Sequence, residues 1–381
     1  MIVYLDNAAT TKMSKVALDA MLPYLTAEYG NPSTVYSAGR EAKNAVEKSR
    51  RAIANGIGAL PEEIFFTSGG TESINWAIKS AAEMEKSKGK HIITSAIEHA
   101  AVLNSCKYLE KNGYDVTYLG VDGHGQISLS ELISAIRSDT TLITIMTANN
   151  EVGTILPVSE IGSIAKENGV LFHTDAVQAV GHIPVNVGEA NTDLLSFSGH
   201  KLGSAKGVGV LYVKKGLRLP PLIHGGGQER GGRSGTENVA GIVSAAAVID
   251  DILPRLPLGG VIELRDKLIE GVLKIPSSRL TGDPQRRLPG NASFVFEGVE
   301  GESMLLMLDQ CGICASSGSA CTSGSLDPSH VLLAMGLSHQ TAHGSLRFSL
   351  CEDNTDDDVD YVLEKLPGII EKLRAISPLW T

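Results

Sequence analysis

The 381-residue chain has no apolar run long enough to cross a bilayer. Its longest one, Val239–Ile249, has 11 residues, whereas a transmembrane helix needs roughly 20. The opening MIVYLDNAATTK lacks the basic and apolar regions of a secretion signal. Positive charge is not in excess either, because 33 Lys and Arg face 43 Asp and Glu, a net charge of −10. These features predict a cytoplasmic protein that binds neither nucleic acid nor an anionic membrane.

Sequence motifs of several enzyme classes are also missing. There is no P-loop, no G-x-G-x-x-G after a predicted strand, no G-x-S-x-G elbow and no H-E-x-x-H. Aromatic residues make up only 5%, whereas the 41 glycines are numerous, which indicates many tight turns or close backbone approaches to a ligand. The five cysteines are an odd number in a chain without a signal, and this predicts reduced thiols.

Short apolar stretches alternate with helical ones from Pro61 to Val213. This alternation predicts an α/β domain with a mostly parallel sheet, whose ligand sites lie at the carboxyl ends of its strands. The predicted strands are Ile64–Thr67, His91–Ser95, Val116–Leu119, Leu142–Thr147, Val170–Thr174, Leu194–Ser198 and Val208–Val213. The predicted helices are Glu72–Lys86, Ala101–Asn112, Leu129–Ile136 and Val158–Asn168.

Beyond Pro254–Gly260 the pattern changes to that of a smaller α+β domain. The predicted helices are Ile262–Lys274, Gly301–Gln310, Ser329–Met335 and Asp356–Ile376, and the predicted strands are Ala292–Phe296, Gly312–Ser316 and Ser345–Leu350. Thr355 is a suitable N-cap for the last helix. We expect residues 15–255 to form the large domain, and residues 1–14 with 256–381 to form the small one.

Three predicted strand ends carry residues that together suit one cofactor. The glycines of Ser68–Glu72 precede a helix, whose N-terminal N–H groups favour a phosphate. Asp175 ends a strand and needs a cationic partner, such as a protonated pyridine nitrogen. Lys201 follows another strand and can form a Schiff base. Each has an ordinary alternative, namely a capped helix start, a helix N-cap and a surface lysine, but together they predict a pyridoxal phosphate site.

Three further residues are candidates for the same site. His99 follows a predicted strand and either stacks on a pyridine ring and moves protons or simply begins a helix. Asn150 binds the cofactor or a substrate carboxylate, or is a turn residue. Arg347 lies in the middle of a predicted strand, where it binds a substrate carboxylate or lies on the exposed face of an edge strand.

Three cysteines lie close together in the C-terminal third. Cys321 falls in the Ser/Gly run Ser316–Ser325, which contains no bulky residue and predicts a loop with an exposed thiol. That thiol is a nucleophile or an incidental cysteine. Cys311 and Cys314 form a C-x-x-C in an apolar stretch and are expected to be buried core thiols. A zinc or iron–sulfur module that uses them with Cys321 stays open as an alternative, although no metal ligand is certain.

The motifs LDNAATT, TSGGTES, EHAAV, NNEVGT, HTDAVQ, SGHK, RSGTEN and SSGSACTSGS follow one another in the chain. In this order they resemble the cysteine desulfurases, pyridoxal phosphate enzymes of the class V aminotransferase group. The resemblance runs from Tyr4 to Leu366 and implies a fold-type I architecture. The long Ser/Gly loop is similar to that of the branch that supplies iron–sulfur cluster assembly.

The resemblance implies a role for each residue around the cofactor. Lys201 would bond to it and move the substrate Cα proton, and His99 would stack on the ring and carry protons. Asp175 would pair with the pyridinium, and Gln178 with the ring oxygen. The phosphate would be bound by Gly70, Thr71, Ser198 and His200, with Thr236 reaching in from the second subunit of a homodimer.

The resemblance also implies the substrate and the reaction. Asn150 and Arg347 would hold the carboxylate of L-cysteine, and Cys321 would attack its sulfur, leaving L-alanine and a Cys321 persulfide. The persulfide sulfur would pass to an iron–sulfur scaffold protein or another acceptor, and a transient role of Cys321 as a cluster ligand stays open. The alternative activity is that of a selenocysteine lyase or another class V carbon–sulfur lyase.

Overall fold

The computed structural model describes residues 2–318, 327–378 and 380, so that Cys321 lies outside the described residues. Within that part of the chain the strands are β1 (Val3–Tyr4), β2 (Ile64–Thr67), β3 (His91–Ser95), β4 (Asp115–Leu119), β5 (Thr140–Thr144), β6 (Leu171–Asp175), β7 (Leu194–Ser198), β8 (Gly209–Val213), β9 (Ser278–Leu280), β10 (Asn291–Phe296), β11 (Ile313–Cys314) and β12 (Ser345–Ser349). The helices are α1 (Lys15–Thr26), α2 (Ser37–Gly56), α3 (Gly70–Met84), α4 (Ala100–Glu110), α5 (Leu129–Ala135), α6 (Val158–Glu167), α7 (Val239–Ile252), α8 (Gly259–Val272), α9 (Gly301–Gln310), α10 (His330–Ala334), α11 (His339–His343) and α12 (Asp356–Ile376).

The largest sheet has seven strands in the order β2-β8-β7-β6-β5-β3-β4. The pairs from β7 to β4 are parallel, whereas β8 is antiparallel to both of its neighbours. Every residue of β3, β5, β7 and β8 is buried. Because successive side chains point to opposite faces, this burial means that both faces of the sheet are covered. The predicted α/β class with a mostly parallel sheet is confirmed.

Two N-terminal helices were not predicted from the alternation of strands and helices. α1 begins after Ser14, whose hydroxyl accepts a hydrogen bond from Ala17 N, and both α1 and α2 pack on α7. The buried stripe of α2 consists mainly of Ala, Gly, Ser and Val. These buried residues recur at helical spacing, so that the period of α2 was present in the sequence although it lies before the strand–helix alternation that was used for the prediction.

The C-terminal part contains two smaller sheets. β12-β10-β9 is antiparallel, and β1 pairs in parallel with β11, which brings the N-terminus of the chain to its C-terminal part. α12 begins after Thr355 with a capping box, in which Thr355 Oγ1 accepts from Asp358 N and Thr355 N donates to the Asp358 carboxylate. The predicted N-cap is therefore present. One apolar cluster is continuous from Leu195 in the large sheet to Phe348 in β12.

Some predicted element boundaries agree with the observed ones, and others differ by a few residues. β5 spans Thr140–Thr144 rather than Leu142–Thr147, and only Ile313–Cys314 of the predicted Gly312–Ser316 is a strand. No helix among residues 2–318 and 327–378 has the length and apolar character needed to cross a bilayer.

Candidate active site

A cavity of about 290 Å³ opens at the carboxyl ends of the parallel strands. It is lined by Ala8, Ala9, Gly70, Thr71, Ile74, His99, Met146, Ala148, Asn150, Asp175, Val177, Gln178, Ser198, His200 and Lys201. The structure thus brings together nine of the residues that the sequence analysis assigned to the cofactor or the substrate. The exceptions are Thr236 and Arg347, which do not line this cavity, and Cys321, which lies outside the described residues.

Lys201 ends a short 3₁₀ turn, Gly199–Lys201, that follows β7 directly. Its Nζ donates hydrogen bonds to Ala8 O at 2.6 Å and Ala9 O at 2.7 Å. His182 Nε2 donates to Lys201 O at 3.0 Å, which holds the backbone of the lysine from the other side. The amine therefore lies in the cavity, and the alternative of an ordinary surface lysine is wrong.

Asp175 is the last residue of β6 and is buried at the bottom of the cavity. Its Oδ1 accepts a hydrogen bond from Val177 N at 2.9 Å, and the residues that follow form a turn rather than a helix. The helix N-cap alternative is therefore wrong. Burial raises the pKa of Asp175, and the positive charges of His99 and Lys201 act in the opposite direction. A carboxylate in such a place is stabilised by a further cation, as a pyridinium nitrogen would provide.

The N-terminus of α3 lies beside Ser198 at the cavity, where its N–H groups suit an anion. A Cβ atom on Gly70, the first residue of the helix, would lie 2.8 Å from Val177 Cγ2, so that the close packing here requires glycine. Glu72 lies in the first turn, but its carboxylate is bound by Arg233 at 2.8 and 3.1 Å and by Ser68 N at 2.9 Å. Because Arg233 neutralises this carboxylate, the helix terminus can still attract a phosphate.

Two histidines border the cavity. His99 Nδ1 accepts from Ala101 N at 3.1 Å and is the N-cap of α4, so that this residue both begins a helix and lines the cavity. His200 Nδ1 lies 3.2 Å from Thr10 Oγ1. Burial lowers the pKa of His200 to about 4, with smaller effects of Lys201 and Lys206. At neutral pH His200 is therefore an uncharged hydrogen-bonding group.

Arg347 lies behind Asn150. It is only 2% exposed, so that the alternative of an exposed edge-strand arginine is wrong. Its Nη1 donates to Asn150 O at 2.7 Å, and its Nη2 pairs with Asp6 Oδ1 at 2.9 Å. The Nε atom is buried and has no hydrogen-bond partner among the described residues. A buried N–H group without a hydrogen-bond partner is unfavourable, so that this group suits a ligand with an acceptor, such as a carboxylate oxygen.

The remaining candidates lie outside the cavity. Thr236 is exposed on the single chain. Cys311 and Cys314 are half-buried rather than fully buried. Cys311 follows the end of α9 and packs against the apolar core, whereas Cys314 belongs to the two-residue strand β11, so that the prediction of buried core thiols is correct only for the packing of Cys311. Within the described residues, no group of three His, Cys, Asp or Glu side chains could hold a metal ion.

Several residues and contacts in and around the cavity were missed from the sequence. Ala8 and Ala9 contribute backbone carbonyls, and Gln178 Nε2 donates to Ala8 O at 3.0 Å. Asp6 holds Arg347, and His182 holds Lys201. A backbone acceptor has no side-chain signature, and these contacts join residues that are far apart in the chain. Only the LDNAATT motif marked the N-terminal stretch as special.

Residues 3–362 match the family model for class V aminotransferases. The chain therefore belongs to this family. It is 55% identical over 379 residues to the cysteine desulfurase IscS of Methanosarcina thermophila, an alignment that covers 99% of this chain and 94% of that relative. It is 51% identical to the cysteine desulfurase IscS of Clostridium botulinum, with 99% and 96% covered. A solved NifS-like protein superposes with a TM-score of 0.93 at 41% identity, with 98% and 100% covered.

Proposed function

We propose that this chain is a pyridoxal-phosphate-dependent cysteine desulfurase that converts L-cysteine to L-alanine and leaves the sulfur on Cys321. The observation that carries the proposal is the convergence of Lys201, Asp175 and the N-terminus of α3 on one cavity. High identity to relatives named cysteine desulfurase over nearly the whole chain narrows the substrate to cysteine.

The residues present fit pyridoxal phosphate. Asp175 offers a buried carboxylate for the pyridine nitrogen, and the N–H groups of α3, with Thr71 and Ser198, suit the phosphate. His99 is placed to cover the ring. When bound, the cofactor supplies an electron sink that stabilises negative charge at the substrate Cα.

Residues of the chain itself would transfer protons and orient the substrate. Lys201, at the strand end, takes the Cα proton, and His99 carries protons between the substrate and the cavity mouth. The Asn150 side chain lines the cavity and orients the substrate carboxylate. Arg347 lies outside the lining residues but donates to Asn150 O, and we propose that its unpartnered Nε–H reaches the same carboxylate. These contacts place the Cβ–Sγ bond of the substrate for the attack by Cys321.

The sulfur-transfer step balances without any further reactant. The Cys321 thiolate attacks the substrate Sγ, an S–S bond forms, and the Cβ–Sγ bond breaks. The electron pair of that bond stays on the substrate carbon, which takes a proton. The products are L-alanine and a Cys321 persulfide, so that no external oxidant or reductant is consumed.

We further propose a cytoplasmic homodimer that passes its sulfur to an iron–sulfur scaffold protein. Apolar side chains on α1 and the residues after it are exposed on the single chain, among them Tyr29 at 81% and Val35 at 86%. Surface of this kind favours burial against a partner. Thr236 is likewise exposed, as is required of a residue that contacts the phosphate of a second subunit.

The absorption spectrum of the purified protein, followed by addition of L-cysteine, tests this function. We expect a visible band that Lys201→Ala abolishes, and formation of alanine that Cys321→Ala abolishes. With an added thiol reductant, which releases the persulfide sulfur as sulfide, sulfide formation should be lost in the same variant. A colourless protein that pyridoxal phosphate cannot reconstitute would overturn the proposal. A yellow protein in which Cys321→Ser stops neither cysteine nor selenocysteine turnover would instead indicate another carbon–sulfur lyase.

A further inference from the structure

A buried carboxylate lies next to the proposed substrate site and has no role in the chemistry described above. Glu151 directly follows Asn150 and is almost completely buried. Its backbone is fixed on both sides, because Glu151 N donates to Asn149 Oδ1 at 2.9 Å and Asn291 Nδ2 donates to Glu151 O at 3.2 Å. The backbone from which the Glu151 side chain projects is therefore held in place by the surrounding turn.

The carboxylate of Glu151 binds one of the residues that flank Cys321 in the sequence and lies close to another. Ser329 Oγ donates a hydrogen bond to Glu151 Oε2, and the same Ser329 oxygen caps α10 by accepting from Val331 N. A Cβ atom on Gly318 would lie 3.0 Å from Glu151 Oε2 and 2.8 Å from Ser329 Cβ. Cys321 stands three residues after Gly318 and eight residues before Ser329. The chain segments on both sides of the cysteine therefore meet at one carboxylate.

The same segments are tied to the residues that face the substrate. Ser316 and Arg347 are joined by two backbone hydrogen bonds, at 3.0 and 2.6 Å. Arg347 in turn donates to Asn150 O at 2.7 Å. Gly318 N donates to Ser345 Oγ at 3.2 Å, in the same strand as Arg347. A continuous hydrogen-bonded network thus links both sides of Cys321 to Asn150 and Arg347.

A purely structural role does not account for a carboxylate here. Burial raises the pKa of Glu151 to about 7, and only Ser329 and the charge of Arg347 favour its ionised form. Arg347 forms its own ion pair with Asp6. Replacement of a buried charged group by an apolar one of similar size often stabilises a protein. A glutamate at this position is therefore expected to lower the free energy of unfolding relative to an apolar residue. Costly groups of this kind are concentrated at functional sites.

We propose that Glu151 is a positioning residue for the transfer of sulfur to Cys321. Its carboxylate holds Ser329, beside Gly318, in a fixed relation to Asn150, and this arrangement favours the attack of the Cys321 thiol on the substrate sulfur. The inference rests on the proposed function and deepens it. It assigns Glu151 to the step in which the S–S bond forms and the Cβ–Sγ bond breaks, and not to removal of the Cα proton by Lys201.

Two rates measured on the holoenzyme separate these steps. The first is exchange of the Cα hydrogen of L-alanine with D₂O, which requires the cofactor and Lys201 but no thiol. The second is single-turnover formation of the Cys321 persulfide from L-cysteine. The variants are Glu151→Ala, Glu151→Gln and Ser329→Ala. Glu63→Ala is the matched control, because Glu63 is also a buried glutamate in a turn but binds Leu60 N and Lys215 N instead.

We expect persulfide formation to be at least tenfold slower in Glu151→Ala, with Cα exchange within twofold of the wild-type rate. Ser329→Ala should also lower the rate of persulfide formation relative to the rate of Cα exchange. Glu151→Gln keeps an acceptor for Ser329 and should retain most of the transfer rate, and Glu63→Ala should leave the ratio unchanged. Equal slowing of both rates in Glu151→Ala, or no slowing of transfer, would overturn the inference.

The proposal can still be tested if the Glu151→Ala variant fails to fold. If Glu151→Ala is insoluble, Ser329→Ala decides the matter, because a wild-type ratio of the two rates in that variant contradicts the proposal. Failure of the proposed function has a different signature. In that case the wild-type protein itself exchanges the Cα hydrogen of alanine but forms neither alanine nor persulfide from cysteine.

Discussion

At the scale of single residues, strand-end position was the most informative feature of the sequence. Asp175 and Lys201 were assigned to one site because each follows a strand of a parallel sheet, and the structure places both in the same cavity. Arg347 was placed in a strand, but its partners were not foreseen. Its contacts to Asp6 and Asn150 cross 341 and 197 positions of the chain, and no local pattern encodes such separations.

Asp175→Asn should have opposite effects on the protein without and with cofactor. Because burial raises the folded-state pKa of Asp175 above 3.8, its ionised form destabilises the apoprotein above the unfolded-state pKa. The asparagine variant should therefore unfold at a higher urea concentration at pH 7. Loss of the pyridinium partner costs about 3–5 kcal/mol, so that the cofactor should bind at least ~100-fold more weakly.

Asp193→Asn is the control for that experiment. The Asp193 carboxylate pairs with Lys214 at 2.8 Å and accepts from Phe172 N at 3.0 Å. Its removal should lower the stability of the apoprotein without a direct effect on cofactor affinity. A lower stability of apo Asp175→Asn would contradict the interpretation that the buried, ionised Asp175 carboxylate destabilises the apoprotein.

At the scale of elements, strong local signals at the start of α12 led to an accurate prediction, whereas the Ser14 cap of α1 was not recognised. α12 was predicted with its observed bounds and its N-cap, because Thr355 and the acidic first turn are local signals. α1 and α2, which pack on α7, were missed. The buried residues of α2 recur at helical spacing, so that its period was present in the sequence, but the helix lies before the strand–helix alternation on which the prediction was based.

Thr355→Ala should destabilise the protein by about 1 kcal/mol, the usual cost of a lost N-cap. The variant loses the Thr355 Oγ1 acceptor for Asp358 N. Urea unfolding of the holoenzyme measures the change. Thr26→Ala, an exposed threonine at the opposite end of a helix, should change stability by less than ~0.5 kcal/mol. Equal effects of the two substitutions would show that the capping box contributes nothing.

At the scale of the whole molecule, buried titratable groups set the pH range of stability. Burial raises the pKa of Glu98 to about 8, whereas burial lowers the pKa of His173 to about 3. Glu98 stabilises the fold below its unfolded-state pKa near 4.5, and this contribution is lost as the pH rises towards 8. His173 has the opposite effect, because only its neutral form is compatible with burial. Its contribution to the free energy of unfolding is therefore lost as the pH falls from about 6.5 to 3.

Glu98→Gln should therefore stabilise the protein at pH 9 but not at pH 5. The amide keeps an acceptor for Ser95 Oγ and Met146 N, which bind Glu98 Oε1 at 2.7 and 3.0 Å. Urea unfolding at the two pH values should show a gain of about 1 kcal/mol or more at pH 9. The exposed Glu167→Gln is the control, and an equal effect of Glu98→Gln at both pH values would contradict the charge argument.

The sequence by itself determined the α/β class, most strands of the central sheet and several of the residues that line the cavity, because these depend on local periodicity and on short motifs at strand ends. The resemblance to the cysteine desulfurases, which rests on those motifs, is confirmed by the family match. The division into residues 15–255 and the remainder stays a prediction, since one apolar cluster crosses it. Only the tertiary structure decided that the N-terminal strand joins β11, that Ala8 and Ala9 hold Lys201, and that Glu151 meets both Gly318 and Ser329. The physical reason is that backbone carbonyls and buried carboxylates acquire their partners from the global packing of the chain.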